Sequence, residues 1–146
     1  MHKDELSDLI ATDDVLKLML VMEKEDFSSD DLHTILDIAT LKGKTDVVRI
    51  LKSKGADLQD KQEVLIHNAV TSQNTQLIEF LLDQGCHIDS VDHNCWTPLH
   101  SACFWGYEQV VRLLVARGAE KTARDDNGVM PFMIAKTEVI RSLAHP

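Results

Sequence analysis

The sequence predicts an all-α protein built as a solenoid, in which about five helix–turn–helix units stack in one direction and are joined by hairpin loops. Two observations lead to this prediction. Residues 97–118 carry the complete pattern of one helix pair, and the pattern returns along the chain at a step of about 33 residues. Because each unit of a solenoid packs only on its neighbours, the 146 residues form one domain without a single large core.

The clearest unit begins at Thr97, whose hydroxyl can cap a helix, and continues with Pro98, which suits the first helical position because its missing N–H is not needed there. A second apolar helix is expected over residues 108–116, after Gly106. It should end at Gly118, since glycine adopts the left-handed turn that closes a helix most easily.

The other units are found by stepping about 33 residues from Thr97 in both directions. The forward step reaches Met130 and Pro131, and the backward step places His67 in register with His100. A further unit lies 30 residues earlier, so the shortened element falls in a hairpin loop. The predicted units are approximately residues 3–30, 31–61, 62–94, 95–127 and 128–146.

The opening unit is degenerate and strongly acidic. Its apolar positions are Leu6, Leu9, Ile10, Val15, Leu16, Leu18, Met19, Leu20 and Met22. Residues 1–31 also hold ten Asp and Glu residues against three lysines. We interpret this acidic start as the solvated cap that a terminal repeat requires, and a dedicated docking patch is the alternative.

The segment Thr97-Pro98-Leu99-His100-Ser101-Ala102 matches the T-P-L-H-x-A pattern of ankyrin repeats, and the chain is identified as a member of that family. The resemblance implies that the hairpin tips and the first helix of each pair form a concave face. Residues on this face are not needed for packing and are available to a partner.

A narrower resemblance covers about fifty residues. Residues 98–110 and 127–143 are similar to the fourth and fifth repeats of the N-terminal ankyrin domain of integrin-linked kinase. This resemblance implies a scaffold that holds a LIM-domain adaptor at integrin adhesions through Phe104 and Trp105. The chain departs from that family at Asn94-Cys95, where His-Gly is expected at the hairpin tip.

Charge is unevenly distributed, and this limits the class of partner. The net charge is −9, and residues 62–111 contain no Lys or Arg. Nucleic acid and anionic membranes need compensating cations, so the sequence favours a protein partner with a neutral or basic surface. Basic residues concentrate on the second unit, at Lys42, Lys44, Arg49, Lys52 and Lys54. The mixed-charge N-terminus and the lack of an 18-residue apolar run predict a cytoplasmic monomer without membrane insertion, and a nuclear location stays open.

Catalytic and cofactor motifs are missing from the sequence, so we expect a non-enzyme without a cofactor. The repeated histidines His67 and His100 are interpreted as structural, each bridging polar groups of adjacent turns. Three cysteines form no disulfide framework, and Cys103 is expected in the core. The hairpin residues Cys86, His87, His93 and Cys95 have ligand chemistry that suits zinc but no usual zinc spacing, and the sequence does not decide whether they bind a metal.

The candidate partner-binding residues lie on the expected concave face of the third and fourth units. They are Asn68, Thr71, Asp92, His93, Asn94, Trp96, Ser101, Phe104, Trp105 and Asp126. Phe104 and Trp105 form a bulky aromatic pair of the kind found at interface hot spots, and the alternative is that one ring covers the seam between units. The function expected is a protein-interaction module or scaffold; the alternative is a regulatory or inhibitory subunit that covers an enzyme or a transcription factor.

Overall fold

The computed structural model describes residues 5, 8–10, 12, 15–24 and 26–146. Leu6 and the side chains of Val15 and Met19, which belong to the predicted opening unit, lie outside the described residues. Over the described ranges the regular structure is helical. The helices are α1 Val15–Lys24, α2 Ser29–Leu41, α3 Thr45–Ser53, α4 Gln62–Ser72, α5 Thr75–Asp83, α6 Pro98–Trp105, α7 Glu108–Ala116, a 3₁₀ helix Pro131–Ile134 and α8 Glu138–Ala144.

These helices form two layers. The inner layer stacks α2, α4, α6 and the 3₁₀ helix in sequence order, and the outer layer stacks α1, α3, α5, α7 and α8. Each inner helix also packs on the outer helix that follows it in the chain. The all-α solenoid of repeated helix pairs is therefore confirmed.

The start and end of the fourth unit agree with the sequence prediction. The Thr97 hydroxyl accepts a hydrogen bond from the N–H of His100, and Pro98 is the first residue of α6. Gly106 and Gly118 follow α6 and α7 with φ of +79° and +88°, which is the left-handed conformation that ends a helix. Proline therefore marks the start of this helix pair, and glycine follows the end of each of its two helices.

Two other helices begin in ways that the 33-residue register does not show. Helix α2 is capped by Ser28 in a reciprocal capping box with Asp31, so it begins ahead of residue 31. Helix α4 has no side-chain cap, and its first flanking residue, Lys61, has a φ of +55°. The position corresponding to Thr97 is Val64, which has no hydroxyl to offer.

The core runs along the seam between the layers, and the repeated histidines lie beside it, His100 buried and His67 half-buried. His100 is fully buried, donates from Nε2 to the Val129 carbonyl at 2.7 Å and accepts at Nδ1 from the Thr97 N–H. His67 donates in the same way to the Ser90 carbonyl at 2.9 Å. Each ring thus ties its helix to the next hairpin, and the structural interpretation of this pair is confirmed. Cys103 is buried, and burial raises its pKa to about 12, so the thiol packs as a neutral apolar group.

The last unit is shortened. A single 3₁₀ turn replaces its inner helix, and α8 follows directly. The N–H of Lys136 donates to the carbonyl of Cys103 at 3.0 Å, which joins this turn to the end of α6. Within the described ranges, no helix has both the length and the apolar character needed to cross a bilayer.

Candidate protein-binding surface

Two aspartates one repeat apart build the hairpins that carry the candidate surface. The Oδ1 atom of Asp92 accepts from the N–H groups of Asn94 at 2.9 Å and Trp96 at 3.0 Å. In the next hairpin the Oδ1 atom of Asp125 accepts from Asn127 and Val129, both at 2.9 Å. Each aspartate therefore fixes the path of the four residues that follow it and sets the position of the next inner helix.

The hairpin tip at Cys95 keeps the repeat geometry without a glycine. Cys95 has a φ of +59°, and its counterpart one repeat later, Gly128, has a φ of +75°. The Cys95 N–H donates to the Asp92 carbonyl at 3.0 Å, as Gly128 does to Asp125 at 2.9 Å. A non-glycine residue therefore occupies a left-handed position here, at a steric cost of about 1 kcal/mol.

Three aromatic side chains, Trp96, Phe104 and Trp105, form a continuous cluster that we call the aromatic patch. The ring centroids of Trp96 and Phe104 are 5.3 Å apart, and those of Phe104 and Trp105 are 5.0 Å apart in an edge-to-face arrangement. Trp96 also stacks against His100. Phe104 is 44% exposed and Trp105 57% exposed, so both rings of the adjacent pair reach solvent.

The position of Trp96 depends on the following repeat. Its indole N–H donates to Oδ2 of Asp125 at 3.0 Å. Asp125 therefore accepts hydrogen bonds from its own hairpin at Oδ1 and from the aromatic patch at Oδ2. The N–H of Val129, followed by Trp96 and Asn127, holds the pKa of Asp125 below its usual range. The carboxylate is therefore ionised at neutral pH.

The tips of these two hairpins form an acidic rim beside the patch. The Asp126 N–H donates to the Asn94 carbonyl at 3.3 Å, which joins the tips. A hydrogen bond from the Cys95 thiol to Asp126 raises the pKa of that thiol, and the charge of Asp126 and the more weakly acting charges of Asp92 and Asp125 add to the effect. The rim is thus a region of negative potential, and it keeps Cys95 protonated.

A cavity of about 320 Å³ lies next to the rim, within the third unit, between helix α4 and the hairpin residues 91–93. Val64 and Val91 supply its exposed apolar surface, and Glu63 and Asp92 supply carboxylates. The remaining lining residues are His67, Asn68 and His93. Asp92 lines this cavity and also accepts from the Trp96 N–H, so the cavity lies next to the hairpin that carries Trp96.

The structure gathers most of the candidate residues but gives them different surroundings. Asn94 and Asp126 lie at the joined tips, and Asn68, Asp92 and His93 line the cavity. Asn68 also donates to the hydroxyl of Thr40 at 3.2 Å, a contact between repeats. Ser101 is half-buried on α6, and the Thr71 hydroxyl donates to the carbonyl of His67 within α4.

Sequence reasoning missed Asp125, Val64 and Val91. Asp125 could have been found from its register, because it lies 33 residues after Asp92 and each is followed two positions later by Asn. That spacing is typical of an Asx turn. The two valines have no such pattern in the sequence.

The hairpin with metal-ligand chemistry does not bring its side chains together. Cys86 is buried, its thiol donates to the carbonyl of Leu58, and burial raises its pKa to about 11. His87 accepts at Nδ1 from the Asp89 N–H, and His93 contacts Asn94. Across the part of the chain that the structure describes, His, Cys, Asp and Glu form no group of three or more with the arrangement of a metal site.

Known proteins resemble this chain in its repeats. The family model for ankyrin repeats (three copies) matches residues 58–125. Human protein phosphatase 1 regulatory subunit 27 is 34% identical over 84 residues, which are 58% of this chain and 54% of that protein. RelA-associated inhibitor of Mus musculus is 34% identical over 91 residues, 60% of this chain and 11% of that protein. The chain thus spans about half the length of the phosphatase subunit.

An ankyrin repeat protein of fowlpox virus (strain NVSL) matches over a larger share of both chains. It is 33% identical over 104 residues, which are 70% of this chain and 74% of the viral protein. This match, the family model and the stacked helix pairs, one of which has the Thr-Pro start, agree with one another. The chain belongs to the ankyrin repeat family.

Proposed function

We propose that this chain is a non-catalytic protein-binding module that holds its partner on the concave face, with the aromatic patch as the anchor. The observation that supports this most strongly is the division of helix α6. Leu99, Ala102 and Cys103 on this helix are fully buried, and the adjacent Phe104 and Trp105 are exposed. Packing of the repeat encloses the first set and leaves much of the surface of the aromatic pair in solvent.

An exposed pair of large aromatic rings is costly in water and valuable at an interface. Aromatic side chains supply most of the binding energy at many protein interfaces because they bury a large apolar area with little loss of conformational entropy. The neighbouring hairpin tips and cavity supply polar groups around this apolar centre, as the rim of an interface does.

Two partner classes follow from different observations. The names of two relatives describe regulation of another protein, a phosphatase in one and RelA in the other. They favour a regulatory or inhibitory subunit. The similarity of residues 98–110 to integrin-linked kinase favours a LIM-domain adaptor, and the module would then act in the cytoplasm at integrin adhesions.

Replacing both Phe104 and Trp105 with alanine tests the proposal. Hot-spot aromatics lose about 2–4 kcal/mol when truncated, so we expect affinity to fall about 30- to 700-fold with little change in stability. Val139→Ala is the matched control, because Val139 is an exposed apolar residue on α8. Affinity purification from native lysate with mass spectrometry identifies candidates, and purified partners then give the dissociation constants.

The identity of the partner separates the classes. Recovery of a phosphatase catalytic subunit or a transcription factor supports the regulatory class, and recovery of LIM-domain proteins supports the adaptor class. A large loss of thermal stability in the double variant, with partner affinity intact, would assign the aromatic pair to packing and contradict the proposal.

A further inference from the structure

The surface around the aromatic patch is rich in carboxylates, and its neighbouring cations, Arg124 and Lys136, come from the hairpin and the unit that follow. Residues 62–111 contain six Asp and Glu residues and no Lys or Arg. Asp126 is exposed and Asp92 half-buried at the two hairpin tips. Arg124, which precedes the second tip, donates to the carbonyl of Gly128 at 2.8 Å and so is engaged within its own hairpin.

Asp92 and Asp126 both have acceptor capacity left for a ligand. Among the described residues, the hydrogen bonds of the Asp92 side chain use Oδ1 alone, and Oδ2 is not engaged. Asp126 lies beside the Cys95 thiol, a weak donor. By contrast, Asp125 uses both oxygens within the fold and is the structural member of the three.

The aromatic patch offers mostly ring surface, together with the indole N–H of Trp105. The one N–H of the Trp96 indole is already given to Asp125, and Phe104 has no polar atom. The face of an aromatic ring carries a negative quadrupole that attracts cations, most strongly in tryptophan. Ring surface and carboxylates therefore favour the same type of ligand at the same place.

Arginine fits this environment better than lysine does. Its planar guanidinium can stack on an aromatic ring while its N–H groups form paired hydrogen bonds with a carboxylate, and it is less strongly hydrated than an ammonium group. The adjacent cavity, with Val64 and Val91 in its wall, has room for an apolar side chain beside such an arginine.

We propose that the partner segment held on this surface is basic, with an arginine that stacks on the aromatic patch and pairs with Asp92 or Asp126, and with a neighbouring apolar side chain in the cavity. This inference rests on the proposed function and specifies its partner. The occupant is a segment of another protein, and its basic character complements the acidic rim and residues 62–111, which contain no Lys or Arg.

The probe is a display library of random 12-residue peptides, selected on the whole chain. Both tryptophans of the chain belong to the aromatic patch, so indole fluorescence reports occupation of this surface directly. The recovered peptides are synthesised with arginine and with citrulline, which has a similar shape without the charge. We expect arginine to be enriched, and citrulline to weaken binding by about tenfold or more.

The protein side is tested with Asp92→Asn combined with Asp126→Asn. Asparagine keeps an oxygen for the hairpin hydrogen bonds of Asp92 and removes the charge. We expect a similar loss of affinity and a weaker dependence on salt between about 50 and 300 mM. The control is Glu23→Gln with Glu79→Gln, which removes the same charge from exposed positions on α1 and α5 and should leave affinity unchanged.

The outcomes separate this inference from the proposed function. Peptides that depend on Phe104 and Trp105 but lack basic residues, or that are indifferent to the two asparagine substitutions, overturn the inference and leave the function standing. An absence of peptides that depend on the aromatic pair overturns both. Self-association of the chain through this surface, detected by light scattering, makes the occupant a second copy and also overturns the inference.

Discussion

At the residue scale, Cys95 has a left-handed backbone at its hairpin tip, and we expect its side chain to add little to the stability of the fold. Cys95→Gly should raise the free energy of unfolding by about 0.5–1 kcal/mol. Glycine removes the steric strain of the left-handed backbone, but its greater conformational entropy in the unfolded state cancels part of this gain. Urea unfolding followed by circular dichroism measures the change.

The reverse substitution one repeat later serves as the control. Gly128→Ala should lower stability by about 1 kcal/mol from backbone strain alone, since nothing lies within 4 Å of an added Cβ. A Cys95→Gly variant that is less stable than the parent chain would mean that the thiol contact with Asp126 outweighs the strain.

Asp125 gives the hairpin a dependence on pH. Hydrogen bonds from Val129 first, and from Trp96 and Asn127, hold its pKa below the ordinary value of 3.8. Its stabilising contribution is therefore complete above pH 3.8 and is lost as pH falls through the lower folded pKa. We expect the parent chain to lose melting temperature more steeply than Asp125→Asn between about pH 4 and pH 2. Parallel curves would show that these hydrogen bonds do not favour the ionised form.

Residue patterns predicted the contacts that recur and missed those that depend on neighbouring units. The roles of Thr97 and His100 follow from their positions within the repeat pattern. The pattern fixes the backbone around these two positions, so the hydrogen bonds of their side chains could be predicted from it. The pairing of Trp96 with Asp125 joins two units, and neither residue type has a preference that indicates the other.

At the element scale, each helix depends on neighbours on both sides, and the terminal units have only one. Helices α6 and α7 pack on preceding units and on the last unit, so their amides should exchange with solvent most slowly. The 3₁₀ turn and α1 should exchange faster. Hydrogen exchange with mass spectrometry tests this order, and uniform protection along the chain, or weak protection over residues 98–116, would contradict it.

The starts of the helices show why element bounds were only partly predictable. A Thr-Pro start fixes α6 locally, and Ser28 with Asp31 would have fixed α2 had the capping box been considered. Helix α4 begins after a left-handed Lys61 without a cap, so its start depends on packing against α2 and α6 and not on local sequence.

At the scale of the whole molecule, stacking in one direction makes the particle longer than a globular chain of equal size. A compact protein of this length has a radius of gyration of about 15 Å, so we expect small-angle scattering to give a clearly larger value. Far-ultraviolet circular dichroism should be dominated by helix. A value near 15 Å, or a sheet spectrum, would contradict a stacked array.

The division of helix α6 into buried and exposed neighbouring residues also affects how the binding specificity of such a protein can evolve. Since Phe104 and Trp105 contribute little to packing, substitutions there alter what is bound at small cost to folding, whereas substitutions at Leu99 or Cys103 do the opposite. Selection on partner choice and selection on foldability therefore act on different positions of one eight-residue helix. A lineage carrying this unit can exchange one ligand for another through individual mutations, each of which leaves a folded and testable intermediate.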